Sequence, residues 1–283
     1  MSAPAPGTLY IVATPIGNLE DLTHRAARVL GEVDVVACED TRHSRKLLDH
    51  YGIHRPLVSY YRENEAARGE ELLRRLQAGD NVALVSDAGT PLLSDPGARL
   101  VARAVGAGIR VVPLPGASAP LAALMACGIW GEAGEPVAFL GFPPARAGAR
   151  RTWLEGWRGF PGALVLFESP HRLVASLAVL AEVLGPERPL VVARELTKLH
   201  EEFQRGTVAS LAALFLNRAQ ANPLRGEFTL VVGPAPASAP PLAPAPPPPA
   251  MTRAQLKQWA RAQGWSRSEA YRRLQQLRGT IED

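Results

Sequence analysis

One run of seven residues, Cys38-Glu39-Asp40-Thr41-Arg42-His43-Ser44, sets two carboxylates beside a guanidinium and an imidazole. Charge packed this closely is costly unless the groups pair or face a polar ligand. In such a setting a carboxylate can accept a proton, and a cation beside it can steady developing negative charge. The plain alternative is a helix cap with a local Asp40–Arg42 pair; the run is too polar for a simple cap, which favours function. A second run, SDAGTPLLSDPG (86–97), is made mostly of small residues. Its backbone can reach a bound molecule, and Asp87 or Thr90 can meet hydroxyls or an ammonium. Shorter polar or glycine-containing strings follow: TPIGN (14–18), PGASA (115–119), FLGF (139–142), FESPHR (167–172) and RELTK (194–198).

Each of these strings stands where a strand ends. Tyr10–Ala13, Val33–Ala37, Val82–Ser86 and Ile109–Val112 read as strands. Between them Leu22–Leu30, Glu65–Ala78 and Pro96–Val105 read as helices stopped by Gly31, Gly79 and Gly106, the last capped by Asp95. Such alternation predicts a mostly parallel sheet with helices on its faces. A second series holds helices at Ala119–Ala126, from Ser169-Pro170 to Leu184, and at Val208–Asn217. Its strands are Val137–Leu140, Ala163–Phe167, Leu190–Arg194, Glu201–Arg205 and Phe228–Val232. The expected fold class is therefore α/β in two domains, residues 1–115 and 116–233, with a cleft between them. Ligands in such folds sit at the carboxyl ends of strands, often between domains.

The chain then changes character. Residues 234–250 are dominated by proline and should form an extended linker. Residues 251–283 predict a basic helical hairpin, Arg253–Ala262 and Arg267–Leu277, with a Ser266/Glu269 capping box. This tail holds seven basic and three acidic residues. Of the chain's 31 and 27, that leaves 24 of each in the remainder. The tail either docks as a plain hairpin or clamps nucleic-acid phosphates through Arg261, Arg267, Arg272, Arg273 and Arg278.

Other classes are excluded. Two cysteines in 283 residues cannot staple a disulfide scaffold. No apolar run approaches the roughly 20 residues of a membrane span, and the first residues lack a signal-peptide pattern, so a reducing cytoplasmic setting is expected. There is no G-x-G-x-x-G, no P-loop, no G-x-S-x-G, and no Cys/His cluster with metal spacing, so no metal is expected.

The strings LYIVATPIGNLEDLT (9–23), ACEDTRHSRKLL (37–48), LVSDAGTPLLSDPG (84–97), PLPGASA (113–119), FLGFPP (139–144), FESPHR (167–172) and ARELTKLHEEF (193–203) together resemble the tetrapyrrole-methylase superfamily, and within it the branch of small-subunit ribosomal RNA methyltransferases. The resemblance implies a two-domain cleft that takes S-adenosylmethionine, a homodimer, and small-subunit ribosomal RNA or the assembled 30S subunit as partner. It implies 2′-O-methylation of a cytidine ribose in the decoding region of 16S RNA. By motif position it sets the cofactor against Ile16, Thr90, Leu93, Ser118, Ala119, Phe167, Arg194 and Glu227.

A ribose hydroxyl is a far weaker acid than a carboxylic acid, so a base or an alkoxide-stabilising charge is needed. The candidates are Glu39 or Asp40 as base, with Arg42 or His43 beside it, and Lys198 for the alkoxide. Against each stands an ion pair that merely holds the cleft. Two other functions fit the same fold: a methyltransferase acting on a small tetrapyrrole-like acceptor, and a non-catalytic RNA-binding assembly protein. A basic tail on a long spacer favours RNA over a small acceptor.

Overall fold

A computed structural model describes residues 5–130 and 135–236. Its first half carries strands β1 (Thr8–Val12), β2 (Val35–Cys38), β3 (Leu57–Ser59), β4 (Val82–Val85) and β5 (Arg110–Leu114). They form one parallel sheet in the order β3-β2-β4-β1-β5. β2 and β4 are apolar and buried along their whole length, as strands must be when helices cover both faces. On one face α1 (His24–Glu32) and α2 (Thr41–His50) enclose Leu30, Val36 and Leu48. On the other α3 (Glu65–Gln77) and α4 (Ala98–Gly106) enclose Leu72, Leu76, Leu84 and Leu100. Each such side chain contributes about 1.5–3 kcal/mol by leaving water.

The second half follows α5 (Ala119–Cys127). It holds β6 (Val137–Gly141), α6 (Ala147–Glu155), β7 (Ala163–Glu168), α7 (Leu173–Leu184), β8 (Pro189–Arg194), β9 (Glu202–Thr207), α8 (Val208–Ala221) and β10 (Phe228–Val232). The sheet order is β6-β7-β10-β8-β9. Only β6 and β7 run parallel. β10 enters between β7 and β8 antiparallel to both, and β8 turns directly into antiparallel β9. The mostly parallel arrangement therefore holds for the first sheet and not the second, because a short connection can return a strand only antiparallel. Helices α6, α7 and α8 cover one face around Leu166, Leu180, Phe215 and Leu230. α5 covers the other, where Ile16 from the first half packs among Ala123, Val165 and Val231.

Several boundaries move. α1 starts at His24, capped by Thr23 Oγ1 on Ala26 N at 3.1 Å, and runs through Gly31 instead of stopping there. α4 starts at Ala98, not Pro96. Gly97 stands at its N-cap position with φ of +131°, a conformation glycine alone adopts freely. Asp95 is consequently not a cap. α7 starts at Leu173, since residues 169–172 form a turn. Helices α2 and α6 and strand β3 have no counterpart in the sequence reading. The linker beyond residue 236 and the hairpin of 251–283 lie outside the described residues.

Candidate active site

The loops after β1 and β4 are tied together. Thr14 N donates to Gly89 O at 2.8 Å, and Gly89 N to Thr14 O at 3.0 Å. Thr14 Oγ1 donates to Ser86 O and Thr90 Oγ1 to Ala117 O, each at 3.1 Å. β1 and β4 are central neighbours whose chain connections leave in opposite directions, the place where open α/β sheets bind ligands. Leu92 and Ser94 both hold φ of +76°, a strain of order 1–2 kcal/mol each for side-chain-bearing residues. This tight path sets Leu93, Ser94 and Asp95 along a crevice.

The crevice, about 390 Å³, opens between the two halves. Its second wall comes from Phe142, Phe167, Ser169, Gly226, Glu227 and Thr229. Gly17 brings the walls together. A Cβ there would lie 2.4 Å from Lys198 Cγ and 2.9 Å from Thr197 Oγ1, so only glycine lets the TPIG loop approach. At the root of α5, Ser118 Oγ is buried in the crevice with no hydrogen-bond partner among the described residues. Unpaired buried hydroxyls are costly, so this one fits a polar ligand.

Of the residues expected to touch a cofactor, Ile16, Thr90 and Leu93 line the crevice, as do Ser118, Ala119, Phe167 and Glu227. Arg194 does not. Phe228 faces it across the β8–β10 pair, and it opens into a separate depression beside α8. The neighbouring Ala193 packs on the α5 side, so strand alternation turns Arg194 away. Sequence reading chose no residue from FLGF or from the SP of FESPHR, yet Phe142, Ser169 and Pro170 line the crevice. Their position at strand ends was the available signal. Asp87 and Asp95 line it too.

The acidic run divides by role. Asp40 caps α2: its Oδ1 accepts from Arg42 N at 2.8 Å, and its Oδ2 pairs with the Arg42 guanidinium at 3.0 Å. These contacts hold its carboxyl down to about 2. Asp40 and Arg42 thus form the cap and pair that the plain alternative describes. Glu39 is half-buried, and burial, then the charges of Asp87 and Asp95, push its carboxyl up. Asp95 is raised likewise, by burial first and then by Asp87. Asp87 Oδ1 accepts from Asp40 N at 3.0 Å, which ties the two strand ends together.

Lys198 Nζ lies 2.9 Å from Glu195 Oε1 and 3.0 Å from Glu227 Oε2. Burial works against its charge, but the two carboxylates outweigh it and lift its pKa. Glu195 and Thr197 hold φ of +50° and +66°, so this clamp secures a strained loop. Beneath the second wall, Glu168 is fully buried. It accepts from Ser169 N at 2.8 Å and from Ser176 Oγ, and pairs with Arg172 at 3.2 Å and Arg150 at 3.9 Å. Arg172 also donates to Pro143 O, next to Phe142. Among the described residues no cluster of His, Cys, Asp or Glu could hold a metal, and no helix is long and apolar enough to cross a membrane.

Comparison with known proteins places this architecture. The family model of Tetrapyrrole (Corrin/Porphyrin) Methylases matches residues 8–212. A "Ribosomal RNA small subunit methyltransferase I" of Mesorhizobium japonicum is 51% identical over 236 residues, 83% of this chain and 78% of that one. Its namesake in Pseudomonas aeruginosa is 48% identical over 80% of this chain and 78% of its own. Among solved structures, a uroporphyrin-III-C-methyltransferase from Thermus thermophilus superposes with a TM-score of 0.56 at 26% identity, covering 80% of this chain and 94% of that one. A cobalt precorrin-4 methyltransferase gives 0.59 at 18% identity, covering 80% and 94%, a likeness of fold alone. The family model covers both sheets that wall the crevice, and the chain belongs to the tetrapyrrole methylase family, among its ribosomal RNA small subunit methyltransferase I proteins.

Proposed function

We propose that the crevice binds S-adenosylmethionine and presents it to a cytidine ribose 2′-OH in the decoding region of small-subunit ribosomal RNA. The observation that carries this reading is the joint one. Near-half identity to small-subunit RNA methyltransferases coincides with a crevice lined by both halves, in which Ser118 Oγ lacks a partner among the described residues. Apolar Ile16, Leu93 and Phe167 suit a purine or thioether. Thr90, Ser118 and Glu227 suit hydroxyl and ammonium groups. When bound, S-adenosylmethionine supplies an electrophilic methyl group on a sulfonium.

The chain's own residues then orient the acceptor and take its proton. Glu39 is the base in this reading. It lies beside the crevice acids Asp87 and Asp95, and burial raises its affinity for a proton. Asp40, held low by Arg42, is a weaker base and serves as the cap of α2. Lys198 is already neutralised by two carboxylates and fixes the wall, not the alkoxide. Glu168, through Arg172 and Pro143, holds Phe142 over the crevice. A homodimer in the cytoplasm, acting on free RNA or the assembled 30S subunit, completes the reading.

The test is methyl transfer from labelled S-adenosylmethionine to isolated small subunits, with the product mapped by nucleotide. Label on one ribose of the decoding region is expected. Label on a base, or transfer only to a tetrapyrrole, contradicts the proposal.

A further inference from the structure

Beside the crevice, on the α8 side of the second sheet, lies a depression of about 280 Å³ that the proposed chemistry does not use. Arg194, Arg218 and Arg225 line it over the rings of Phe215 and Phe228. Arg218 stacks on Phe215 at 5.2 Å and Arg194 over Phe228 at 6.0 Å, which pre-sets both guanidinium planes. Arg194 Nε donates to Arg225 O at 2.8 Å, so the loop and the strand are fastened together. The carboxylate that pairs here is Glu202, 2.7 Å from Arg218 and 3.7 Å from Arg194. Three guanidiniums therefore face one carboxylate, and Arg225 is exposed without an acidic partner among the described residues. Outside the tail this chain is charge-balanced, so the excess is local.

We infer that this depression is a phosphodiester subsite, which holds the RNA backbone next to the nucleotide whose ribose enters the crevice. The inference rests on the RNA reading given above. Position supports it: Arg225 lines the depression, and the next two residues, Gly226 and Glu227, line the crevice. One backbone step is about 3.8 Å, so the two sites are neighbours. Charge supports it as well. Asp87 and Asp95 line the opposite wall, with Glu39 close to both, and repel phosphate, which leaves the arginine side as the path for the strand. Planar guanidiniums match phosphate oxygens in pairs, and stacked ones lose little freedom on binding.

The experiment follows binding of a single-stranded RNA oligonucleotide to the full-length chain across a KCl series, alongside methyl transfer to isolated small subunits. In the Arg218→Gln/Arg225→Gln double variant, RNA Kd should rise about five- to ten-fold in low salt. The slope of log K against log salt should flatten by about 0.7 per phosphate lost. Affinity for S-adenosylmethionine should stay at the wild-type value. Arg218→Lys/Arg225→Lys, which keeps both charges, should restore most of the slope. Arg28→Gln, which breaks a remote surface pair with Glu32, should leave it unchanged. If the wild type transfers methyl to small subunits and the double Gln variant matches its Kd and slope, the subsite is overturned while the RNA reading stands. If the wild type neither transfers methyl nor binds RNA with a salt dependence, the reading fails and the subsite with it.

Discussion

The two walls of the crevice treat charge in opposite ways. The second-half wall and the residues behind it pair their acids: Glu168 with Arg172 and Arg150, Glu195 and Glu227 with Lys198. On the first-half side Asp87 and Asp95 line the crevice and Glu39 crowds close to them, with no ion-pair partner among the described residues, and burial together with mutual repulsion raises Glu39 and Asp95. Paired charges fix geometry. Crowded unpaired ones cost stability at neutral pH, and a fold keeps such a cost where chemistry needs a proton acceptor. In the reading proposed above, the comparison separates a wall that positions from a wall that reacts.

The largest expected effect falls on the reacting wall. Glu39→Gln should lower methyl transfer by about 10²–10⁴-fold, the usual contribution of a general base. Since the base must be ionised, the wild-type rate should fall as pH drops through a pKa above the ordinary glutamate range, and the variant should lose that acidic limb. The stability sign is opposite to that of a paired acid. A raised folded-state pKa means the ionised form destabilises the fold at neutral pH, so Glu39→Gln should not lower Tm.

On the positioning wall the order inverts. Glu168→Ala leaves buried Arg150 without its carboxylate and should cost about 3–5 kcal/mol in denaturant unfolding. Gly17→Ala drives a methyl into Lys198 Cγ and forces the walls apart. A cost of about 1–3 kcal/mol is expected, with weaker S-adenosylmethionine binding by calorimetry. The smallest effect belongs to Asp40→Ala, which removes the cap of α2 and should lower Tm only slightly. Its methyl transfer should persist; loss comparable to Glu39→Gln would return Asp40 to the reacting wall.

How much of this was legible in the sequence follows from locality. β1 and β4 are apolar runs that end in Gly/Pro/Ser loops, so they and the crevice residues beside them can be read directly. α2 is hidden because its polar sequence, TRHSRKLLDH, overlaps the charged run whose Asp40 caps it. Asp95 imitates a cap before Pro96, and only the φ of Gly97 shows that the helix starts later. The insertion of β10 between β7 and β8 depends on pairings remote in sequence. Arg194 lies apart from the crevice lining for a period-two reason: adjacent Ala193 faces α5, so Arg194 faces α8.

The most direct measurement is a crystal structure of the chain with S-adenosylhomocysteine. The ligand should lie between the two walls, with a polar atom on Ser118 Oγ and its sulfur nearer Glu39 than Lys198. A ligand bound outside the crevice, or one that leaves Ser118 Oγ without a partner, contradicts the account.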